Sequence, residues 1–149
     1  SDSRELYQQL IIDHGRKPRN FGVLATATHI KQGFNPLCGD KLTLYIEESD
    51  GQIKDIRFDG EGCAISLASA SMMTDALIGK SLIEADKLFT EFHHLVTQRD
   101  ADVAVKSLGK LVVLKGVSEY PARVKCATLA WQTLRAVLQG EQGNVSTES

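Results

Sequence analysis

The stretch Asn35-Pro36-Leu37-Cys38-Gly39-Asp40 sets a thiol and a carboxylate two residues apart. Pro36 bends the backbone before the cysteine and Gly39 separates the two ligand-type side chains, so both can be offered to one small volume. That pair suits a divalent cation such as zinc, or a cysteine that must be ionised before it attacks. The other two cysteines stand in Gly60-Glu61-Gly62-Cys63 and Arg123-Val124-Lys125-Cys126. The expectation is that Cys38, Asp40, Cys63 and Cys126 meet in space as one site. Cysteines also serve as small buried apolar residues, but the glycine and aspartate neighbours argue against that use here.

Three sulfurs and one carboxylate form a tetrahedral zinc set. Ionised, they carry four negative charges, of which a divalent ion cancels two. Arg123 and Lys125, just before Cys126, are the residues available to compensate the remainder. Their plainer reading is ordinary helix-surface charge.

The elements that must position these groups are legible as hydrophobic periodicity. Leu6, Tyr7, Leu10 and Ile11 recur at helical spacing over residues 3 to about 14, and Gly15 and Pro18 end that helix. His14, at its last turn, is expected to complement the negative end of the helix dipole. Residues 17 to 24 read as irregular chain, with a basic cluster of Arg16, Lys17 and Arg19. Such a cluster is either a solvated face or a contact for an acidic surface.

Three strands follow, at 25 to 34, 41 to 48 and 53 to 58. Asp50-Gly51 between the last two is a hairpin signal, because both turn residues must accept positive φ. In such an antiparallel meander the loop joining the first two strands and the exit of the third lie at the same end. Topology alone would therefore bring Cys38 and Asp40 close to Cys63. His29 reads as an ordinary strand residue.

The run after Cys63 is small and apolar on nearly every side, which predicts a buried helix closed by Gly79. Cys63 then stands near a helix N-terminus, where the dipole lowers a thiol's pKa. Ser81-Leu82-Ile83-Glu84 is a capping-box pattern, opening a helix that buries Ala85, Leu88, Phe89, Phe92 and Val96. His93 and His94 point about 100° apart on it and cannot easily share an ion. From 100 to 116 a short helix and a packed turn are expected. A last helix begins near Tyr120-Pro121, with Ala127, Trp131, Leu134 and Leu138 on one face, and carries Cys126 about two turns in. The expected architecture is an α+β fold, a three-stranded antiparallel sheet packed with helices. One domain spans residues 1–140, and a polar tail, 141–149, is expected to be disordered.

With 149 residues, 42% of them apolar and 24% charged, the chain can bury a core without staples. A net charge of -2 leaves no electrostatic footprint for nucleic acid. No apolar run approaches the ~20 residues that cross a bilayer, and the first residues lack a secretory leader. An odd cysteine count without export signals fits a reducing, cytoplasmic compartment.

Asn-Pro-Leu-Cys-Gly-Asp, Gly-Glu-Gly-Cys-Ala-Ile-Ser and Arg-Val-Lys-Cys-Ala-Thr-Leu-Ala-Trp together resemble the three cysteine motifs of the IscU/NifU-like iron–sulfur cluster assembly proteins, and more closely those of their SufU branch. The resemblance runs from the first helix to Trp131. Scaffolds of the IscU type carry a histidine just before the third cysteine, where Lys125 stands here. SufU-like chains also carry an extra segment between the second and third cysteines, which residues 100 to 116 would supply. The resemblance implies a zinc ion held by Cys38, Asp40, Cys63 and Cys126, and a SufS-type cysteine desulfurase as partner, with downstream iron–sulfur assembly proteins beyond it. Cys38 would accept persulfide sulfur once freed from zinc by a ligand swap with the docked partner, Asp40 being the weak ligand that tunes the exchange. The alternative is a scaffold on which iron or a transient iron–sulfur cluster takes the place of zinc.

Overall fold

The computed structural model describes residues 2–98, 107–140 and 145–147. Helix α1 (Asp2–Arg16) leads into strands β1 (His29–Asn35), β2 (Asp40–Ser49) and β3 (Gln52–Glu61). Helices α2 (Ala64–Leu77) and α3 (Leu82–Thr97) follow, then a 3₁₀ segment (Gly109–Glu119), helix α4 (Pro121–Leu138) and a two-residue strand β4 (Val145–Ser146). No helix among the described residues is long and apolar enough to cross a membrane. The side chains of Leu6 and Tyr7, and the apolar run expected at 103 to 106, lie outside the described residues.

The meander forms as its sequence dictates. Asp50 and Gly51 take φ of 53° and 76°, both positive, which matches the right-handed twist of the strands they join. Asn35 pairs with Asp40 at one end of the β1–β2 ladder, and Lys41 with Glu61 at the same end of β2–β3. The first strand starts at His29 rather than Ala25, because Ala27 N–H turns back to the Leu24 carbonyl.

The sheet has four strands where three were expected, in the order β3-β2-β1-β4. The fourth comes from the polar tail, where Val145 and Ser146 run parallel to Gly33 and Phe34. Residues 141–144 and 148–149 of that tail lie outside the described residues. Two residues of ladder carry no hydrophobic period, so nothing in the sequence announces this strand.

Alternation puts Leu42, Leu44, Ile46, Ile56 and Phe58 on the inner face, and a bulge at Lys54 opposite Glu47 and Glu48 returns Ile53 to it, so that all six are buried. Helices α2 and α4 cover that face. Close approach is sequence-specific: a Cβ on Gly33 would strike Thr133 Oγ1 of α4. Helix α3 adds Phe92, which stacks on Trp131 of α4 at 4.6 Å between ring centres. The Ser81–Glu84 capping box that starts α3 forms in both directions, at 3.0 Å each way.

Helix α2 is buried on several sides, which its alanines and serines permit. Ser69 Oγ donates to the Ala127 carbonyl at 2.6 Å, so its polarity is satisfied while it admits α4. Ser71 Oγ accepts from the Arg19 backbone N–H at 2.8 Å and lies 2.7 Å from His14 Nδ1. This overturns the dipole reading of His14. The ring is 1% exposed, and burial, followed by the nearby Arg19 cation, lowers its pKa, so the imidazole is neutral and fastens α1 to α2. His29 is exposed at the end of β1 remote from the cysteines, and His93 and His94 are exposed on α3.

Candidate metal centre

The three cysteine-bearing segments converge at one end of the molecule. The β1–β2 loop supplies Cys38, the first residue of β2 is Asp40, the turn after β3 ends in Cys63, and α4 supplies Cys126. Cys38 and Cys126, 88 positions apart in sequence, bring their sulfurs to 3.2 Å. Ligand atoms of Cys38, Asp40 and Cys126 all lie within 4.8 Å of one another.

Asp40 is fully buried, an expensive place for a carboxylate without partners. Its Oδ1 accepts from the Cys63 backbone N–H at 2.9 Å, and its Oδ2 from Asn35 Nδ2 at 3.0 Å. Gly62 is what lets the turn come this close, since a Cβ there would sit 2.6 Å from Asp40 Oδ1.

Cys63 is the N-cap of α2, and its Sγ accepts from Ser66 N–H at 3.4 Å. It stands outside the tighter group of Cys38, Asp40 and Cys126, held instead at the helix N-terminus by its capping bond. Cys126 is the buried sulfur of the set, 3.2 Å from that of Cys38. Burial pushes its thiol pKa far up, reinforced by Cys38, Cys63 and the Asp40 carboxylate. Without a cation, such a thiol keeps its proton.

These residues fit a divalent metal on chemical grounds. Soft sulfurs and one carboxylate converge, and burial together with these neighbours holds the Cys126 thiol protonated. A cation reverses that penalty by favouring the deprotonated forms. Exposure differs across the set, Cys38 and Cys63 being exposed and Cys126 buried.

Of the two expected compensating cations, the Arg123 guanidinium lies 6.0 Å from the centre of the Tyr120 ring, and Lys125 is half-buried on α4. The largest influences on the Cys126 pKa are its burial and the neighbouring Cys38, Cys63 and Asp40. Sequence reasoning passed over Asn35, fully buried and the organiser of the centre. Its carboxamide donates to Asp40, lies 3.6 Å from Cys126 Sγ, and accepts from Thr147 Oγ1 at 2.9 Å. The available signal was an asparagine inside the first cysteine motif, at a strand end, directly before proline.

Comparison with known proteins identifies the family and the fold. The profile of the family described as NifU-like N terminal domain matches residues 6–127. The zinc-dependent sulfurtransferase SufU of Bacillus subtilis (strain 168) is 41% identical, over 93% of this chain and 92% of its own length. The iron–sulfur cluster assembly scaffold protein IscU of Streptococcus pyogenes serotype M1 is also 41% identical, over 93% of this chain and 86% of its own. Among solved structures, a candidate iron–sulfur cluster assembly scaffold protein for the SUF system from Fervidobacterium islandicum AW-1 superposes with a TM-score of 0.83. It is 33% identical, with 91% of this chain and 98% of that one covered.

Proposed function

This chain belongs to the NifU-like N-terminal domain family, and from that premise we propose that it works in iron–sulfur cluster assembly as a zinc-dependent acceptor of persulfide sulfur from a cysteine desulfurase. The observation that carries the reading is that Cys126 and Asp40 are buried, and Cys63, though exposed, is tied down as the N-cap of α2, whereas Cys38 sits exposed on the β1–β2 loop. Cys38, Asp40, Cys63 and Cys126 would hold zinc, which supplies the positive charge that keeps the thiols ionised. Arg123 and Lys125 would offset the surplus negative charge.

Cys38 is the nucleophile. Its thiolate attacks the terminal sulfur of a donor persulfide, forming a new S–S bond as the donor's bond breaks. The donor cysteine leaves as a thiolate, and Cys38 carries the persulfide onward. Asp40 and Cys126 stay in place through this exchange because their own segments are buried. Leu37 and Tyr120, 57% and 55% exposed, are large apolar side chains flanking Cys38 and opening α4, suited to a partner that must bury the transfer. A SufS-type enzyme in the cytoplasm fits this role.

The test is persulfide carried by the protein after incubation with desulfurase and cysteine, read by mass spectrometry. Cys38→Ala is expected to lose it to background, and equal loading of that variant would overturn the assignment. A scaffold role is the second reading, favoured by the IscU name of the Streptococcus relative. Anaerobic reconstitution yielding a stable chromophore with stoichiometric iron and sulfide would decide for it.

A further inference from the structure

Asn35 is the last residue of β1 and pairs with Asp40, the first of β2. Its side chain is fully buried, where a carboxamide costs free energy unless its polar atoms are met. Its nitrogen donates to Asp40 Oδ2 at 3.0 Å, leaving a second hydrogen for Cys126 Sγ, 3.6 Å away. Two of the residues that would hold zinc are thus tied to one amide.

The orientation of that amide is fixed from both sides. As a metal ligand Asp40 is ionised and only accepts, so the nitrogen of Asn35, not its oxygen, must face it. The oxygen then faces Thr147, whose hydroxyl donates to Asn35 Oδ1 at 2.9 Å. Thr147 follows directly on the two residues of β4 that run along β1, and its backbone N–H donates to the Phe34 carbonyl at 3.1 Å. The C-terminal strand therefore ends on the amide that faces the cysteine centre.

The sulfur transfer proposed above requires Cys38 to leave the ion while Asp40, Cys63 and Cys126 keep it. A carboxylate with Oδ2 tethered to Asn35 and Oδ1 to the Cys63 backbone N–H is held against swinging away. A donor aimed at the Cys126 sulfur also offsets part of the surplus negative charge without a buried cation, and hydrogen bonds to ionised acceptors are roughly twice as strong as neutral ones.

We propose that Asn35 is a positioning residue that keeps Asp40 and Cys126 on the ion while Cys38 reacts, and that Thr147 is the latch that sets its orientation. The proposal rests on the reading of Cys38, Asp40, Cys63 and Cys126 as metal ligands.

Cobalt(II) is the probe, bound to the full chain in place of zinc, because its sulfur-to-metal charge-transfer band responds to hydrogen bonding at each thiolate. Asn35→Ala is expected to weaken cobalt about tenfold to hundredfold in competition with a chelator. It should also move the band to longer wavelength, since a thiolate relieved of a hydrogen bond gives up electron density more readily. Thr147→Val keeps the shape, removes the hydroxyl and alters no ligand. It is expected to weaken cobalt about twofold to tenfold, with a band shift in the same direction, and Thr147→Ser to restore both. Thr147 is half-buried, so its variants decide the matter where Asn35→Ala fails to fold. Variants that lose stability in urea with the band unmoved would overturn the proposal, as would Thr147→Val binding cobalt like the parent or Thr147→Ser failing to restore it. A parent with no thiolate band at all would overturn the ligand reading itself, whereas failure confined to the Asn35 and Thr147 variants leaves that reading standing.

Discussion

The two ends of helix α2 handle buried polarity in opposite ways. At its C-terminal end Ser71 takes a hydrogen bond from Arg19 and meets His14, while Thr74 Oγ1 accepts from Asn20 Nδ2 at 3.1 Å and donates to the Ser71 carbonyl at 2.8 Å. Those groups are neutral or backbone, and nearly all of them satisfy one another. At the N-terminal end, two sulfurs and a carboxylate crowd within 4.8 Å, and burial, reinforced by the Cys38, Cys63 and Asp40 neighbours, raises the Cys126 pKa. One end is a fastening. The other is a cluster of titratable groups of the kind a cation suits, and groups whose pKa is perturbed by burial and close neighbours gather at functional sites.

The comparison breaks most sharply at Cys38. Because the side chain is exposed, Cys38→Ala is expected to abolish sulfur acceptance while changing metal-free stability by no more than about 0.5 kcal/mol. Loss of stability in urea by several times that amount would make Cys38 a structural residue.

Gly62→Ala tests whether the cysteine end depends on close backbone approach. A Cβ 2.6 Å from Asp40 Oδ1 must displace a buried carboxylate. Zinc affinity is expected to fall about tenfold to hundredfold, the range seen when a ligand loses its orientation, by competition with a chromophoric chelator. Unchanged affinity would show that Asp40 is not held by this turn.

At the fastening end, Ser71→Ala removes an acceptor from Arg19 N–H and the partner of His14 Nδ1. The expected cost is about 1–3 kcal/mol in urea unfolding, with sulfur acceptance per folded molecule unchanged. A parallel loss of transfer would mean that the two ends are coupled.

The smallest effect is on pH. The folded pKa of His14 is lowered below its ordinary 6.5, so the unfolded chain binds a proton first as pH falls. His14's contribution to stability is full above about 6.5 and is lost as pH drops from there through the depressed folded value. Unfolding midpoints of the parent and of His14→Asn should therefore converge on acidification across this window. Curves that stay parallel would show that His14 does not titrate with folding.

Much of this was legible in the chain. Asp50-Gly51 fixed the hairpin because its φ requirement is local, and Ser81–Glu84 fixed the start of α3 for the same reason. The convergence of Cys38, Asp40 and Cys63 followed from strand direction, which the period-2 alternation supplied. What was not legible depends on contacts between residues far apart in sequence. Nothing near His14 in sequence reveals that Ser71, 57 positions away, would bury it. Asn35 is an ordinary turn residue until Asp40, Cys126 and Thr147 surround it. Strand β4 is two residues long, recruited by an edge of β1 rather than by its own pattern.

The central claim is that Cys38, Asp40, Cys63 and Cys126 share one ion. X-ray absorption at the zinc edge of the zinc-loaded protein measures this directly. The expected spectrum has three sulfurs at about 2.3 Å and one oxygen at about 2.0–2.2 Å, with Cys63→Ser removing one sulfur from the set. A shell with one sulfur or none, or a Cys63→Ser spectrum identical to the parent's, would contradict it.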